Sequence, residues 1–207
     1  MDTARYYLAL ILVVTYPPAF AFWFIVHPFI GFWRRVGTTV TYSVTMPMLF
    51  AGCYMLFVAR GSLLAVEYGT RWVLVAGGVF LYALALVVER SCRRYLSLRT
   101  LVGVPELKAV EEGPGKLLQE GIYARVRHPR YLGVMLGGAG VAMFANYLAG
   151  YLLMLALVPA VVALTMIEEK ELRARFGGAY DEYQRSVPRI IPVYHDPAAR
   201  RARPGAD

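Results

Sequence analysis

The sequence predicts an all-α polytopic membrane protein with about five transmembrane helices, the last two a helical hairpin, plus a cytoplasmic surface helix. Three observations predict it. Only 17% of the 207 residues are charged, 58% are hydrophobic, and the mean hydropathy is +0.48. A soluble domain carries roughly 25% charged residues. The charges also fall in clusters with long uncharged runs between them. One run, residues 131–167, is 37 residues long. As one helix it would reach about 55 Å against a hydrocarbon core of about 30 Å, so it has to fold back on itself.

The first run, 6–33, holds 28 uncharged residues, where a span needs about 20. A helix is expected near 6–26, kinked at Pro17-Pro18. His27-Pro28 marks its exit, and Trp23 and Trp33 suit a membrane interface. Met1 to Arg5 lacks a strongly basic leader region and a clear cleavage site, so this segment reads as a retained helix. The run 36–59 has 24 uncharged residues and predicts a second span with Pro47 as its kink. The run 72–88 has 17 and predicts a third, in which Gly77-Gly78 allows close helix contact.

Residues 89–130 are the long hydrophilic connection. Its first part, Glu89 to Arg99, is read as extending the third helix, and Pro105 and Gly113-Pro114-Gly115 break the rest into loops. The run 131–167 then divides at Asn146 to Gly150 into arms near 131–147 and 150–167. Gly133, Gly137, Gly138 and Gly140 give the first arm a small-residue surface for tight packing. Residues 168–187 read as a surface helix, because Leu172, Phe176, Tyr180, Tyr183 and Val187 recur at helical spacing. Pro188 and Pro192 end it, and 193–207 reads as a disordered basic tail. The chain is thus expected to be a single membrane domain, 1–207: spans in 1–88, connection 89–130, hairpin 131–167, surface helix 168–192, and tail.

Net charge is +8, and 19 of the 22 basic residues are arginines. This charge lies in loops between apolar runs, so the expected partner is the lipid bilayer and not nucleic acid. Nine basic residues occupy 89–130 and none the hairpin tip. The positive-inside rule therefore puts the connection and the C-terminal segment in the cytoplasm and the N-terminus outside. An arginine-rich balance hints at a GC-rich bacterial genome, hence an inner (plasma) membrane. Cys53 and Cys92 form no disulfide framework, and no metal-ligand spacing is present. Oligomeric state is not readable.

The stretch Gly121-Ile-Tyr123-Ala-Arg-Val-Arg127-His128-Pro129-Arg130-Tyr131-Leu-Gly133 is polar, basic and flanked by aromatics, and it abuts the hairpin. Glu168-Glu169 follow the hairpin's second arm. An antiparallel hairpin brings these two feet together. Taken singly, each group has an ordinary reading: solvated carboxylates, headgroup-binding cations, belt aromatics. Together they suit a pocket for a zwitterionic polar cofactor at a membrane surface, acting on an apolar or lipid acceptor.

The spacing Gly121-x-Tyr123-x-x-x-Arg127-His128-Pro129-x-Tyr131-x-Gly133 resembles a signature of integral-membrane methyltransferases, the isoprenylcysteine carboxyl methyltransferases and phospholipid N-methyltransferases. So does Glu168-Glu169 followed by Phe176-Gly177, Tyr180, Tyr183, Val187-Pro188 and Ile191-Pro192. The resemblance covers roughly 115–192. It implies S-adenosylmethionine as methyl donor, held by Lys116, Leu117, Leu118, Tyr123, Arg127, His128, Pro129, Arg130, Tyr131, Gly133 and Glu168. Glu169 and His128 are the nearby groups that could act as a base. One departure stands out. The eukaryotic prenylcysteine enzymes carry an arginine four residues before the first glutamate, and Leu164 stands here. A carboxylate acceptor would then depend on Arg127, Arg173 or Arg189. Two other readings stay open: a membrane reductase of sterol-reductase type using a nicotinamide cofactor, and a non-enzymatic membrane scaffold.

Overall fold

The computed structural model describes residues 1–95 and 116–192, so the expectations for the 96–99 end of the third helix, Pro105, Gly113-Pro114-Gly115 and the 193–207 tail lie outside the described residues. The described chain is helical throughout, with no strand. The elements are α1 (Asp2–Val26), α2 (Ile30–Val36), α3 (Thr38–Val58), α4 (Arg60–Leu63), α5 (Trp72–Arg93), a 3-10 turn at Gly121–Ala124, α6 (Pro129–Ala145), α7 (Leu148–Phe176) and α8 (Gly178–Ser186).

Four of these, α1, α3, α5 and α7, are long and apolar enough to cross a membrane. The fifth expected span is α6, with 17 residues. At about 1.5 Å per residue it covers about 26 Å of a core of about 30 Å. Large side chains such as Phe50, Tyr54, Met55, Val73, Phe80 and Leu155 point outward. A surface this apolar suits lipid rather than water. Pro17, Pro18, Pro47 and Pro159 all sit inside continuous helices, which a bilayer protein tolerates when neighbours satisfy the freed carbonyls.

The hairpin turn is tighter than expected. Asn146 caps α6 in the left-handed conformation, φ 58°, and α7 starts at Leu148. A non-glycine residue rarely holds this backbone, and asparagine is one of the few that does. Its side chain accepts from the Tyr151 hydroxyl and donates to Gly69 O, at 2.8 and 2.9 Å. The turn is also stapled to the 66–68 loop by Tyr68 N to Asn146 O and Leu148 N to Val66 O. Fully buried Arg5 donates to Ala145 O and pairs with Asp2 and Glu67. A cation here complements the negative end of α6. The N-terminus, the 66–70 loop and the hairpin tip therefore share one end of the bundle.

Glycines set the closest approach, between α5 and α6. A Cβ on Gly78 would meet Gly140 O at 2.5 Å, and one on Gly140 would meet Gly78 O at 2.7 Å. Without a hydrophobic driving force between helices in lipid, this backbone proximity supplies the packing. Gly78→Ala is expected to destabilise the protein by about 1–3 kcal/mol through overpacking. Gly31→Ala, where an added Cβ meets nothing within 4 Å, should leave thermal unfolding in detergent unchanged or slightly raised. Equal unfolding temperatures for the two variants would contradict this account.

Two expectations need correction. No separate surface helix begins at Glu168, because α7 runs unbroken to Phe176. Residues 168–176 contain good helix formers and no breaker, and the helix stops only at Gly177, φ 56°. Its 29 residues span about 44 Å, so α7 extends beyond a core of about 30 Å. Only α8 remains as a separate short helix. Leu172, Phe176, Tyr180, Tyr183 and Val187 do form one apolar cluster, joined by Leu117. In addition, Trp33 is buried in the α1–α2 corner, where Nε1 donates to Ile25 O.

Candidate active site

At the end of the bundle opposite the hairpin tip, the chain builds a cavity of about 440 Å³. Its polar wall comes from Lys116, Leu117, Leu118, Tyr123, Arg127, His128, Pro129, Arg130, Tyr131 and Glu168. Its apolar wall comes from α1, through Thr15, Tyr16, Ala19, Phe20, Trp23 and His27. Leu172, Arg175, Phe176, Tyr180 and Tyr183 complete it. Ten of the eleven residues expected to hold a cofactor thus line one space. The exception is Gly133, which faces Val88 on α5 and serves helix packing.

Local chemistry explains the turn into α6. His128 occupies the N-cap position, and Pro129 the first helical position, where its missing N–H costs nothing. The segment before it is fixed from the C-terminal side. Arg127 N donates to Pro188 O and His128 N to Arg189 O, both at 2.9 Å. The Tyr183 hydroxyl donates to Tyr123 O at 2.6 Å. The two separated motifs are therefore two halves of one hydrogen-bonded unit.

Glu168 and Glu169, adjacent in sequence, point differently because successive helix residues differ by about 100°. Glu168 faces the cavity. Its Oε2 lies 3.5 Å from His128 Nδ1 and is buried, with no hydrogen-bond partner among the described residues. Glu169 faces the C-terminal segment and is saturated. It accepts from Arg127 Nη2 and Nε at 2.7 and 3.1 Å. It also accepts from Arg189 Nη2 and Nε at 2.7 and 3.1 Å, and from Gln184 Nε2 at 3.2 Å. His128 Nε2 sits 3.2 Å from the same carboxylate. The expected base Glu169 does not line the cavity. It is the hub that ties α7 to Arg127, His128 and Arg189.

His128 stands between the two carboxylates, with Nε2 3.2 Å from Glu169 and Nδ1 3.5 Å from Glu168, an arrangement that favours the imidazolium. Burial alone would lower its pKa. The two carboxylates close by, Glu169 at 3.2 Å and Glu168 at 3.5 Å, outweigh that and raise it above the ordinary value. The stabilisation that follows is complete below the unfolded imidazole pKa of about 6.5. It is lost as pH rises through the raised folded value. The difference in thermal stability between wild type and His128→Gln should therefore shrink as pH rises through and above neutrality. A difference that grows over the same window would contradict the protonated bridge. The hydroxyls of Tyr123, Tyr180 and Tyr183 are pushed up, chiefly by burial, and stay protonated.

Comparison with known proteins now bears on this geometry. The model of the phospholipid methyltransferase family matches residues 72–179, or 108 of 207 residues. The chain belongs to the phospholipid methyltransferase family. The match includes α5, α6, α7 and the Arg127–Tyr131 segment, while α1 lies outside it. Over 78 residues the chain is 36% identical to the protein-S-isoprenylcysteine O-methyltransferase of Schizosaccharomyces pombe, covering 37% of this chain and 33% of that protein. Over 72 residues it is 39% identical to the methanethiol S-methyltransferase 2 of Bradyrhizobium diazoefficiens, covering 34% of this chain and 27% of that protein. The chain thus spans about a third of the length of the curated relatives it matches. No solved structure matches it.

Sequence reasoning missed the α1 wall, Gln184, and the place of Arg175 in the cavity lining. Arg175 was findable, since it stands seven residues after Glu168 and so on nearly the same helical face. The α1 residues carried no comparable signal.

Proposed function

We propose that this chain is an integral-membrane methyltransferase using S-adenosylmethionine as donor and a lipidic or membrane-embedded small molecule as acceptor. The site is proposed to face the cytoplasm, on the charge distribution of the loops. The observation that carries the reading is the cavity itself. One wall is polar and built from the motif residues, and the other is apolar and built from a membrane helix. Its size falls within the range of about 300–1,000 Å³ common for ligand pockets.

The polar wall fits such a donor. Glu168 Oε2, the Tyr180 hydroxyl and Arg175 Nε are buried and have no hydrogen-bond partner among the described residues. Leaving a polar group unpaired costs about 1–3 kcal/mol, which favours a ligand that completes them. Glu168 suits an ammonium group or ribose hydroxyls. When bound, the donor supplies a methyl group on positively charged sulfur. The residues contribute position and exclusion of water. His128, whose protonated form the two carboxylates favour, positions Glu168, and Glu169 fixes the Arg127-His128 segment. Glu169 is saturated by arginines and points away from the cavity, so acceptors that ionise readily fit best.

The acceptor wall is apolar, and Leu164 is fully buried in the α1–α6–α7 core. Arg127 and Arg189 are held by Glu169, and Arg173 by Asp181 and Gln184. The three cations considered for a carboxylate acceptor are therefore already engaged.

Calorimetry on detergent-solubilised protein should show saturable binding of S-adenosylhomocysteine. No heat at millimolar ligand, or preference for a reduced nicotinamide nucleotide, would sink the methyltransferase reading. Incubating a lipid extract with methyl-labelled donor and identifying the labelled species would name the acceptor.

A further inference from the structure

Among the described residues, Arg175 lines this cavity and no carboxylate pairs with it. Arg34 pairs with Glu171, Arg127 and Arg189 with Glu169, and Arg173 with Asp181. Lys116 pairs with Glu120. Arg175 lines the cavity, and its Nε is buried with no acceptor among the described residues. No described carboxylate pairs with it. Its guanidinium lies over the Phe176 ring, Cζ 5.2 Å from the centroid, a contact that orients a cation but accepts no hydrogen bond. A buried donor without an acceptor is costly, and the planar fork of a guanidinium matches carboxylate and phosphate oxygens.

We propose that Arg175 is the anion-binding residue of the cavity and takes a carboxylate or phosphate carried by a ligand. The inference rests on the methyltransferase reading above and adds a specificity-determining residue to it. The anion has two possible sources. One is the amino-acid carboxylate of the donor, and the other is an anionic group on the acceptor.

The test uses full-length protein in detergent, as wild type, R175Q and R175K. The probes are S-adenosylhomocysteine, 5′-methylthioadenosine (which lacks the amino-acid portion), oleate and oleyl alcohol. If the donor's carboxylate is the ligand, R175Q weakens S-adenosylhomocysteine about tenfold or more, the worth of one charge-assisted hydrogen bond, and leaves 5′-methylthioadenosine unchanged. If the anion belongs to the acceptor, R175Q spares S-adenosylhomocysteine and weakens oleate but not oleyl alcohol. R175K keeps the charge without the fork, gives a smaller loss in the same column, and keeps the test readable if R175Q misfolds. Unchanged affinity for all four probes, or an equal loss for all four, overturns the proposal. Failure of wild type to bind S-adenosylhomocysteine is a different result, and it overturns the donor reading itself.

Discussion

Glu169→Gln should destabilise the folded protein by about 3–5 kcal/mol, the usual effect of removing one partner from a buried ion pair. Glu169 is 6% exposed, and its carboxylate is the shared acceptor for Arg127, Arg189 and Gln184, with His128 beside it. Glutamine preserves the shape and removes the charge. Arg127, whose side chain is 7% exposed, would remain buried and uncompensated. The loss should be read as a lower unfolding temperature in detergent, with earlier proteolysis after Val187, because Arg189 and Arg127 lose the group that holds the C-terminal segment down. A variant within about 0.5 kcal/mol of wild type, the scatter of ordinary surface substitutions, would refute the hub.

Glu168→Gln should do the opposite. Its nearest polar contact among the described residues is His128 at 3.5 Å, so less folding energy depends on it than on Glu169. As a cavity-facing carboxylate it should matter for ligand. A hydrogen bond to a charged group is worth about 1.5–3 kcal/mol, which corresponds to about a 10- to 150-fold loss of S-adenosylhomocysteine affinity. Calorimetry alongside thermal unfolding separates the two glutamates. Similar behaviour of both variants in both measurements would end the division of labour proposed for them.

This division was only half legible in the sequence. Two adjacent glutamates after an apolar run point about 100° apart on a helix. Which one meets the cavity depends on where residues 184–189 return, and that return is set by Tyr183 on Tyr123 O and by Arg127 on Val187 O. The aromatic periodicity from Leu172 to Val187 was readable because each member presents the same face. The continuation of α7 past Glu168 was misread, because hydropathy changes there while helix propensity does not.

The sequence by itself determined the membrane class and the hairpin, and its motif resemblance named the residues that line the polar wall. Charge placement and run length are local quantities that the bilayer converts directly into spans, and a 37-residue uncharged run permits no single crossing. The motif residues were also readable because their spacing is fixed by one continuous turn, from the 3-10 segment through Pro129 into α6. Only the tertiary structure decided the rest. α1 became the apolar wall because Tyr16 and Gly138 let it approach α6. Glu169 became a structural ion-pair hub, and Arg175 Nε was left without an acceptor among the described residues. These outcomes depend on which helices touch. In a membrane, where every helix is apolar on its lipid side, close backbone approach and buried charge balance decide that, and neither is written in any one segment.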